Sequence, residues 1–355
     1  MPPAPNNLRK PRDFGGDASE LDGCSILITG ATGSFGRTMV RRLLEDSAVS
    51  RIAILSRDEF KQYQMEQELR EAGHDMARLR FFLGDVRDQA RLEMAMIGID
   101  TVIHAAALKQ VPAAEYNPFE CIHTNVLGAE NVVRSAIRAG VSKVVALSTD
   151  KASAPINLYG ASKLASDKIF IAANNLSGTE GCRFSVVRYG NVMGSRGSVV
   201  SHFSRILENG AGRLPITDTR MTRFWITLQQ SISFVISCLA MMRGGELFVP
   251  MIPSIHITEL AEAMAPGMPY DIVGVRPGEK LHETMLTVDD ARTTLQAHDR
   301  YIVEPPAFPF WHQRNGEGYA GSRVDPGFHY SSDSNPEWLS IEDIREWLEV
   351  TKEER

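Results

Sequence analysis

The stretch ALSTDKASAPINLYGASK, residues 146–163, carries the side chains with the clearest chemical use in this sequence. Tyr159 and Lys163 are four residues apart, so on a helix they lie on the same side. The pKa of a tyrosine hydroxyl is about 10, and a neighbouring ammonium lowers it by favouring the phenolate. The spacing therefore predicts a base for an alcohol proton; the ordinary alternative is a half-buried tyrosine beside a surface lysine.

Two more titratable side chains, Asp150 and Lys151, follow directly after Thr149 in the same stretch. Thr149 ends a β-branched run, and its hydroxyl is predicted to share a substrate oxygen with Tyr159. An acid and an amine at this place could donate and accept protons beside a reacting carbon. The ordinary alternative is an Asp-Lys pair at a strand end, with one side chain solvated and the other hydrogen bonded.

A glycine-rich loop lies upstream in ILITGATGSFG, residues 26–36, between a predicted strand and a predicted helix. Its G-x-x-G-x-x-G spacing allows a tight turn and close approach of a pyrophosphate to the positive end of a helix dipole. The alternative is a tight turn that holds no ligand. The loop predicts dinucleotide binding by Gly30, Thr32, Gly33, Ser34, Phe35 and Gly36.

The end of the second predicted strand, LSRDEFK at residues 55–61, bears on which nicotinamide dinucleotide is bound. Ser56 and Arg57 stand where NAD-binding proteins usually place an acid for the ribose hydroxyls. Arginine can bind a 2′-phosphate through two hydrogen bonds, and Lys61 lies about one helical turn further on. This favours NADP over NAD. Because Asp58 is an acid at this strand end, NAD stays an alternative cofactor. The ordinary alternative is that Ser56 or Asp58 only caps the helix.

Further cofactor contacts are predicted at the ends of the third and fourth strands. Asp85 and Val86, in GDVRD, lie where an adenine edge is expected, although Gly-Asp is also an ordinary turn. Ala105 and Ala106 end the fourth strand and are predicted to lie against the cofactor. Lys109, just beyond them, is expected close to where substrate and cofactor meet.

The elements that must position these residues are short, nearly continuous apolar runs that alternate with segments of helical period. Such runs suit parallel strands covered by helices on both faces. The runs lie at 25–29, 51–55, 79–85, 101–106, 143–148 and 184–190, with helical segments at 36–46, 59–72, 117–139 and 157–175. The sequence therefore predicts an α/β fold: a doubly wound parallel sheet (Rossmann) with a smaller α/β substrate domain.

The domain boundaries follow from where this alternation stops. Residues 1–22 are polar and rich in Pro and Gly, which predicts a flexible N-terminal lead-in. Residues 23–190 and 230–250 are assigned to the dinucleotide-binding domain, because 245–250 resembles a strand returning to the sheet. Residues 191–229 and 251–345, with longer loops and helices at 198–210 and 256–265, are assigned to the substrate domain.

Composition argues against a nucleic-acid-binding, membrane-spanning or disulfide-rich protein. A net charge of -6 argues against nucleic-acid binding, and the apolar run at 231–242 is too short to span a bilayer. The four cysteines lack metal or disulfide spacing, so they are expected to be reduced and mostly buried. No metal site and no membrane association are predicted, and the expected location is cytoplasmic.

Together these motifs resemble the extended short-chain dehydrogenase/reductase family, which acts on nucleotide sugars with a recycled NAD(P). The finer pattern resembles the inverting UDP-N-acetylglucosamine 4,6-dehydratases that begin pseudaminic acid biosynthesis. It extends over residues 23–345; Ser201 stands where many members have proline. The motifs that carry it are HAAALKQVPAAEYNP, STDKASAPINLYGASK, GNVMGSRGSVV, ITDTRMTRFWIT, RPGEKLHE and YSSDSNPEWLS.

This resemblance implies roles for the two residues after Thr149. Dehydration needs a base for the C5 proton and an acid for the C6 hydroxyl, and the implied roles are Lys151 as base and Asp150 as acid. These roles require a neutral lysine and a protonated aspartate. Burial beside a cationic cofactor would favour the neutral form of the lysine. A UDP-N-acetylhexosamine 4-epimerase needs neither group, and a silent NADP-binding regulator would be expected to lose Tyr159 or Lys163.

The resemblance also implies a UDP-N-acetylglucosamine site and a homo-oligomer, either a dimer or a hexamer. Arg223 and Arg276 are candidates for the diphosphate, because guanidinium groups bind phosphate through two hydrogen bonds. Glu279 is a candidate for the ribose hydroxyls, and Lys109 adjoins the sugar. The positions that match the family's UDP pocket are Asn191, Ser198, Val199 and Thr217.

Overall fold

The computed structural model describes residues 10–178, 180–195, 197–305 and 318–353. Its strands are β1 (Ser25–Thr29), β2 (Arg51–Ser56), β3 (Leu79–Leu83), β4 (Thr101–His104), β5 (Lys143–Thr149), β6 (Arg183–Tyr189), β7 (Asn191–Val192), β8 (Leu214–Ile216), β9 (Thr222–Ile226), β10 (Leu247–Pro250), β11 (Ser254–His256), β12 (Tyr270–Ile272), β13 (Thr284–Leu286), β14 (Thr294–Gln296), β15 (Arg300–Val303), β16 (Ser322–Arg323) and β17 (Tyr330–Ser331).

The α-helices are α1 (Ser34–Asp46), α2 (Glu59–Glu71), α3 (Gln89–Ala95), α4 (Val111–Tyr116), α5 (Pro118–Ile122), α6 (Gly128–Ala139), α7 (Leu158–Ser177), α8 (Val199–Glu208), α9 (Leu228–Met241), α10 (Ile257–Met264), α11 (Val288–Ala291) and α12 (Ile341–Glu353). Short 3₁₀ turns cover Ala18–Leu21, Met76–Arg78 and Asp150–Ala152, and one π-helical turn covers His123–Leu127. Among the described helices, none combines the length and hydropathy needed to cross a bilayer.

The main sheet has the strand order β16-β14-β15-β10-β6-β5-β4-β1-β2-β3. From β10 to β3 every neighbouring pair is parallel, and the order reverses between β1 and β4. Helices α1 and α9 pack together, as do α3, α6 and α7. Strands β1 and β2 are almost wholly buried, because helices cover the sheet and nearly continuous apolar runs supply both faces. The predicted doubly wound sheet is confirmed.

The far edge of this sheet differs from the predicted domain division. Strands β14, β15 and β16 lie in the range assigned to the substrate domain, yet they extend the main sheet. The physical link is the antiparallel pairing of β15 with β10, in which Val303 faces Leu247 and Arg300 faces Pro250. The main sheet therefore extends into the range that was assigned to the substrate domain.

A second, smaller core lies beside the main sheet. Strands β7, β9 and β11 form one small sheet, while β8 pairs with β12 and β13 pairs with β17. Trp225 and Trp347 are almost completely buried within this core, together with Phe203, Ile255 and Leu260. This cluster includes side chains from α8, α10 and α12, and except for Trp347 its buried residues fall within the ranges predicted for the smaller domain, whose boundaries stay a prediction.

The prediction of a flexible lead-in is wrong for residues 10–22, while residues 1–9 lie outside the described part of the chain. Phe14 is 2% exposed and meets the ring of Phe234 edge-on, with centroids 4.9 Å apart. Arg12 donates a 2.6 Å hydrogen bond to Glu337. The free energy gained by burying a phenyl ring and forming an ion pair outweighs the conformational entropy of the backbone that the Pro and Gly content suggested.

Candidate active site

The carboxyl ends of the parallel strands open into a cavity of about 530 Å³. It lies at the topological switch between β1 and β4, where open α/β sheets usually hold their ligands. All the predicted catalytic residues line it, and so do all the predicted cofactor residues. Of the predicted substrate residues, its described walls include Lys109, Asn191 and Ser198. The individual roles of these side chains stay predictions.

The glycine-rich loop has the shape that a pyrophosphate requires. Gly30 has φ +67°, and a Cβ atom there would lie 2.8 Å from the backbone nitrogen of Ala106. A Cβ on Gly36 would lie 2.4 Å from Cα of Ala31, so the helix packs tightly on its own loop. A Cβ on Gly33 would meet only the Gly30 carbonyl at 3.2 Å, and its open side is the cavity. These residues fit a dinucleotide at the N-terminus of α1.

Asp58 and Arg57, at the end of β2, are the acidic and the basic candidate for contact with the adenosine ribose, and their side chains have different surroundings. Asp58 caps α2, accepting from the Lys61 backbone nitrogen at 3.0 Å, and its carboxylate also pairs with the Lys61 ammonium at 2.9 Å. Ser56 is buried and accepts a hydrogen bond from Gln62. The Arg57 side chain is 52% exposed at the cavity wall. Asp58 therefore has the capping role that the sequence allowed.

Tyr159 and Lys163 lie in the first turns of α7, which Asn157 caps by accepting from the Gly160 backbone nitrogen at 2.7 Å. Both side chains are buried in the cavity wall, 8% and 3% exposed. Burial raises the pKa of Tyr159 to about 12, although Lys151 and a hydrogen bond with Thr149 oppose the rise. Burial also lowers the pKa of the Lys163 ammonium. Tyr159 is therefore a phenol until more positive charge enters the site.

Asp150 and Lys151 form an ion pair in the short 3₁₀ turn after β5. The Lys151 ammonium lies 3.1 Å from Oδ1 of Asp150 and 2.9 Å from Oε1 of Glu283. Burial alone would lower the pKa of Lys151, but the carboxylates of Asp150 and Glu283 outweigh it and hold that pKa above its ordinary value. The pair thus has the opposite charge state to the one that the implied roles require.

Glu283 is a residue of this site that the sequence analysis missed. It is 1% exposed, and its backbone is held to Ser332 by two hydrogen bonds of 2.9 and 2.8 Å. Glu283 is the last residue of the motif RPGEKLHE, 132 positions beyond Lys151, and no local spacing connects the two. Only the packing of β13 on the 3₁₀ turn brings them together.

The predicted diphosphate and ribose residues are absent from the described cavity walls, and of these residues Arg223 lies beside Glu283 at 3.9 Å. Arg223 is 6% exposed and donates to the carbonyls of Thr222, Leu281 and Lys280 at 2.7, 2.9 and 3.0 Å. Its guanidinium supports the loop that carries Glu283. Arg276 is mostly exposed and lies 3.4 Å from Glu279. Within the described residues, the predictions outside the cavity walls are Val199, Thr217, Arg223, Arg276 and Glu279.

A doubly wound parallel sheet with a glycine-rich first turn and a Tyr-x-x-x-Lys pair at its carboxyl edge defines a short-chain dehydrogenase/reductase. Residues 26–305 match the family model described as polysaccharide biosynthesis protein. The chain belongs to this family.

Two relatives of this chain have different named activities. A Campylobacter jejuni (strain 81-176) protein named UDP-N-acetylglucosamine 4,6-dehydratase (inverting) is 50% identical over 94% of this chain and 99% of its own length. A Rickettsia canadensis protein named UDP-glucose 4-epimerase is 41% identical over 79% of this chain and 82% of its own. The resemblance drawn from the sequence motifs is confirmed.

Two solved structures agree with the fold. The structure of Pen from Bacillus thuringiensis is 32% identical, covers 94% of this chain and 98% of its own, and superposes with a TM-score of 0.84. The structure of DesIV, a dTDP-glucose 4,6-dehydratase from Streptomyces venezuelae with NAD and TYD bound, is 26% identical and covers 72% of this chain and 86% of its own, with a TM-score of 0.63.

Proposed function

We propose that the protein is a UDP-N-acetylglucosamine 4,6-dehydratase that inverts C5. It would oxidise C4, eliminate water across C5 and C6, and yield a UDP-2-acetamido-2,6-dideoxy-4-keto-hexose. The observation that carries the proposal is the ion pair of Asp150 and Lys151 in the cavity that also holds Tyr159. The named activity of the relative that is 50% identical supports the same conclusion.

The first step uses the residues at the start of α7. Tyr159 accepts the proton of the C4 hydroxyl, Lys163 stabilises the phenolate by its charge, and the hydroxyl of Thr149 orients the same oxygen. A bound nicotinamide supplies the hydride acceptor for C4 and the hydride donor for C6. The C4 ketone makes the C5 proton acidic, so C5 becomes the next site of proton transfer.

The second step uses the pair that follows β5. Elimination across C5 and C6 needs one proton acceptor and one proton donor within reach of neighbouring carbons. Asp150 and Lys151 are adjacent and both line the cavity, so they can serve both positions at once. A 4-epimerase, which the Rickettsia relative suggests as the second candidate, needs neither.

Proton NMR of UDP-N-acetylglucosamine incubated with the protein and NADP in heavy water tests the proposal. The expected result is a new methyl signal from C6, with deuterium at C5 of the product. A new sugar with an axial C4 hydroxyl and an intact CH2OH group would instead identify an epimerase and overturn the proposal.

We also propose NADP as the preferred cofactor, because Arg57 is exposed at the cavity wall while Asp58 is held by capping α2. Arg57→Ala should raise KM for NADP by about 10-fold to 100-fold, from the loss of a charge-assisted contact. KM for NAD should stay nearly constant, because NAD lacks the 2′-phosphate. Arg91→Ala, an arginine outside the cavity, is the matched control; equal effects on both cofactors would contradict NADP selection.

The proposal extends to the setting of the reaction. We propose a homo-oligomer, a dimer or a hexamer, that works in the cytoplasm and supplies pseudaminic acid biosynthesis. The basis is the motif resemblance described above. Size-exclusion chromatography with light scattering tests the assembly, and a mass of one chain, 39.3 kDa, would contradict it.

A further inference from the structure

The segment between β5 and α7, residues 150–157, carries Asp150 and Lys151, and we call it the catalytic turn. It begins with the 3₁₀ turn, in which the Ser153 backbone nitrogen donates to the Asp150 carbonyl at 3.1 Å. Ala154 then has φ +42°, a left-handed conformation that costs free energy for a residue with a Cβ atom. Ser153 is 3% exposed, and its hydroxyl has no partner among the described residues. A segment of this kind keeps its shape only when the surrounding structure holds it.

The catalytic turn is held by a distant loop, residues 278–283, which directly precedes β13. The partly buried ammonium of Lys280 donates to the Ser153 carbonyl at 2.7 Å. The side-chain amide of Asn157 donates to the Gly278 carbonyl, also at 2.7 Å. These partners are 127 and 121 positions apart in the sequence, so tertiary packing alone brings them together. The two hydrogen bonds fix the middle and the end of the catalytic turn.

The 278–283 loop is itself fixed from another side, so it can support the catalytic turn. Arg223 donates to the Lys280 carbonyl at 3.0 Å and to the following carbonyl at 2.9 Å. Gly278 has φ +77°, and a Cβ atom there would lie 3.0 Å from Cβ of Asn157, so the loop and the turn are in close contact. Lys280 is absent from the described cavity walls, which means that it acts on the reaction through the catalytic turn.

The residues proposed for C4 oxidation have a support of their own. Tyr159 and Lys163 belong to α7, a helix of 20 residues whose backbone hydrogen bonds fix its first turns. The cap of this helix, the 2.7 Å hydrogen bond from the Gly160 backbone nitrogen to Oδ1 of Asn157, does not involve Lys280. The contact between Lys280 and Ser153 therefore supports the pair proposed for elimination and not the pair proposed for oxidation.

We propose that Lys280 is a positioning residue for the elimination of water. Its hydrogen bond to the Ser153 carbonyl holds the catalytic turn, so that Asp150 and Lys151 reach C5 and C6 of the sugar. This inference rests on the proposed dehydratase function and goes beyond it. It divides the reaction into an oxidation that does not depend on the 278–283 loop and an elimination that does.

The test measures the two steps separately, in the holoenzyme mixed with UDP-N-acetylglucosamine. The absorbance of reduced nicotinamide in a single turnover reports oxidation at C4, and the methyl signal of C6 reports elimination followed by hydride return. Lys280→Met keeps the length of the side chain and removes the ammonium. It should form reduced nicotinamide within about threefold of the wild-type rate and the methyl product about 10-fold to 100-fold more slowly, because a displaced reacting group costs rate. The reduced nicotinamide should also persist longer, since hydride return follows elimination.

Two further variants distinguish positioning from a general loss of structure. Lys280→Arg should recover most of the methyl product, because a guanidinium can donate to the same carbonyl. Asn157→Ser keeps a capping hydroxyl for α7 but is too short to hold the Gly278 carbonyl. It breaks the same contact independently and should show the same selective loss of the methyl product.

Lys143→Met is the matched control. Like Lys280, Lys143 is a partly buried lysine whose ammonium donates to a backbone carbonyl, that of Leu239 at 2.8 Å. It is absent from the described cavity walls and lies at the opposite end of β5 from the catalytic turn. This variant should leave the rates of both steps unchanged.

Equal slowing of both steps in Lys280→Met and in Asn157→Ser would overturn the proposal, because the 278–283 loop would then support the whole site. Formation of the methyl product at the wild-type rate by Lys280→Met would overturn it as well. A wild-type protein that oxidises C4 and forms no methyl product would refute the proposed function, and this inference with it. The two failures are distinguishable, because the first requires an active wild-type dehydratase.

Discussion

Replacing Tyr159 by phenylalanine should lower kcat by about 10²-fold to 10⁴-fold, the usual contribution of a positioned general base. The phenyl ring still fills the buried position at the start of α7, so KM for the nucleotide sugar should change little. Without the hydroxyl, the C4 proton has no acceptor and oxidation stops before any elimination. The variant should therefore form no reduced nicotinamide in a single turnover, as measured by stopped-flow absorbance.

The pH dependence of the same variant gives a second check. Burial raises the pKa of Tyr159 to about 12, so Lys163 and the bound cofactor must lower it for work near neutral pH. The base works above its pKa, so wild-type kcat should rise with pH on the acid side. The residual activity of the variant should lack that limb. Tyr319→Phe removes a hydroxyl that is bonded to Glu246 and should retain the full limb. Normal C4 oxidation by Tyr159→Phe would contradict the assigned base.

The parallel part of the fold was predictable because it is encoded locally. SILIT and KVVALS are apolar runs that can only be buried on both faces, and they form β1 and most of β5. The glycine loop follows β1 and begins α1, as its spacing predicted. Each of these segments carries its own signal within about ten residues, so no knowledge of distant partners was needed.

The antiparallel edge was not predictable in this way. Strand β14 has three residues, and β16 has two, which is too short for a periodic signal. Their positions depend on β15 pairing with β10 from about fifty residues away along the chain. The same holds at the N-terminus, where the burial of Phe14 depends on the distant ring of Phe234. Contacts of this range are set by tertiary packing.

The candidate site also has a part that the local sequence predicts and a part that depends on tertiary packing. Tyr159, Lys163, Asp150 and Lys151 lie within one stretch, so their proximity followed from helix and strand geometry. Glu283 joins them from a distant part of the chain, and its carboxylate, together with that of Asp150, raises the pKa of Lys151. A chemical role inferred from adjacent residues alone therefore omitted one of the two carboxylates that contact the Lys151 ammonium.

Asp167→Ala should lower the free energy of unfolding by about 3–5 kcal/mol, the cost of leaving a buried cation without its partner. Asp167 is 2% exposed and accepts from Arg188 at 3.1 Å and from Ser148 at 2.8 Å. Arg188 is 4% exposed and also donates to the Met285 carbonyl at 2.9 Å. The pair thus joins α7, β5, β6 and β13 directly beneath the active site. Urea denaturation with a fluorescence readout measures the loss.

A second substitution separates the charge effect from lost packing. If the loss arises from an unpaired Arg188, adding Arg188→Met to Asp167→Ala should recover a large part of it, because a buried ion pair can be replaced by apolar groups at little cost. Glu66→Ala, which breaks the exposed pair with Arg70, should leave unfolding nearly unchanged. A double variant no more stable than Asp167→Ala would mean that the hydrogen bonds to Ser148 and Met285, and not the charge, hold these elements together. In that case the geometry of the catalytic turn would depend on hydrogen bonds, and Ser148→Ala should lower stability by a comparable amount.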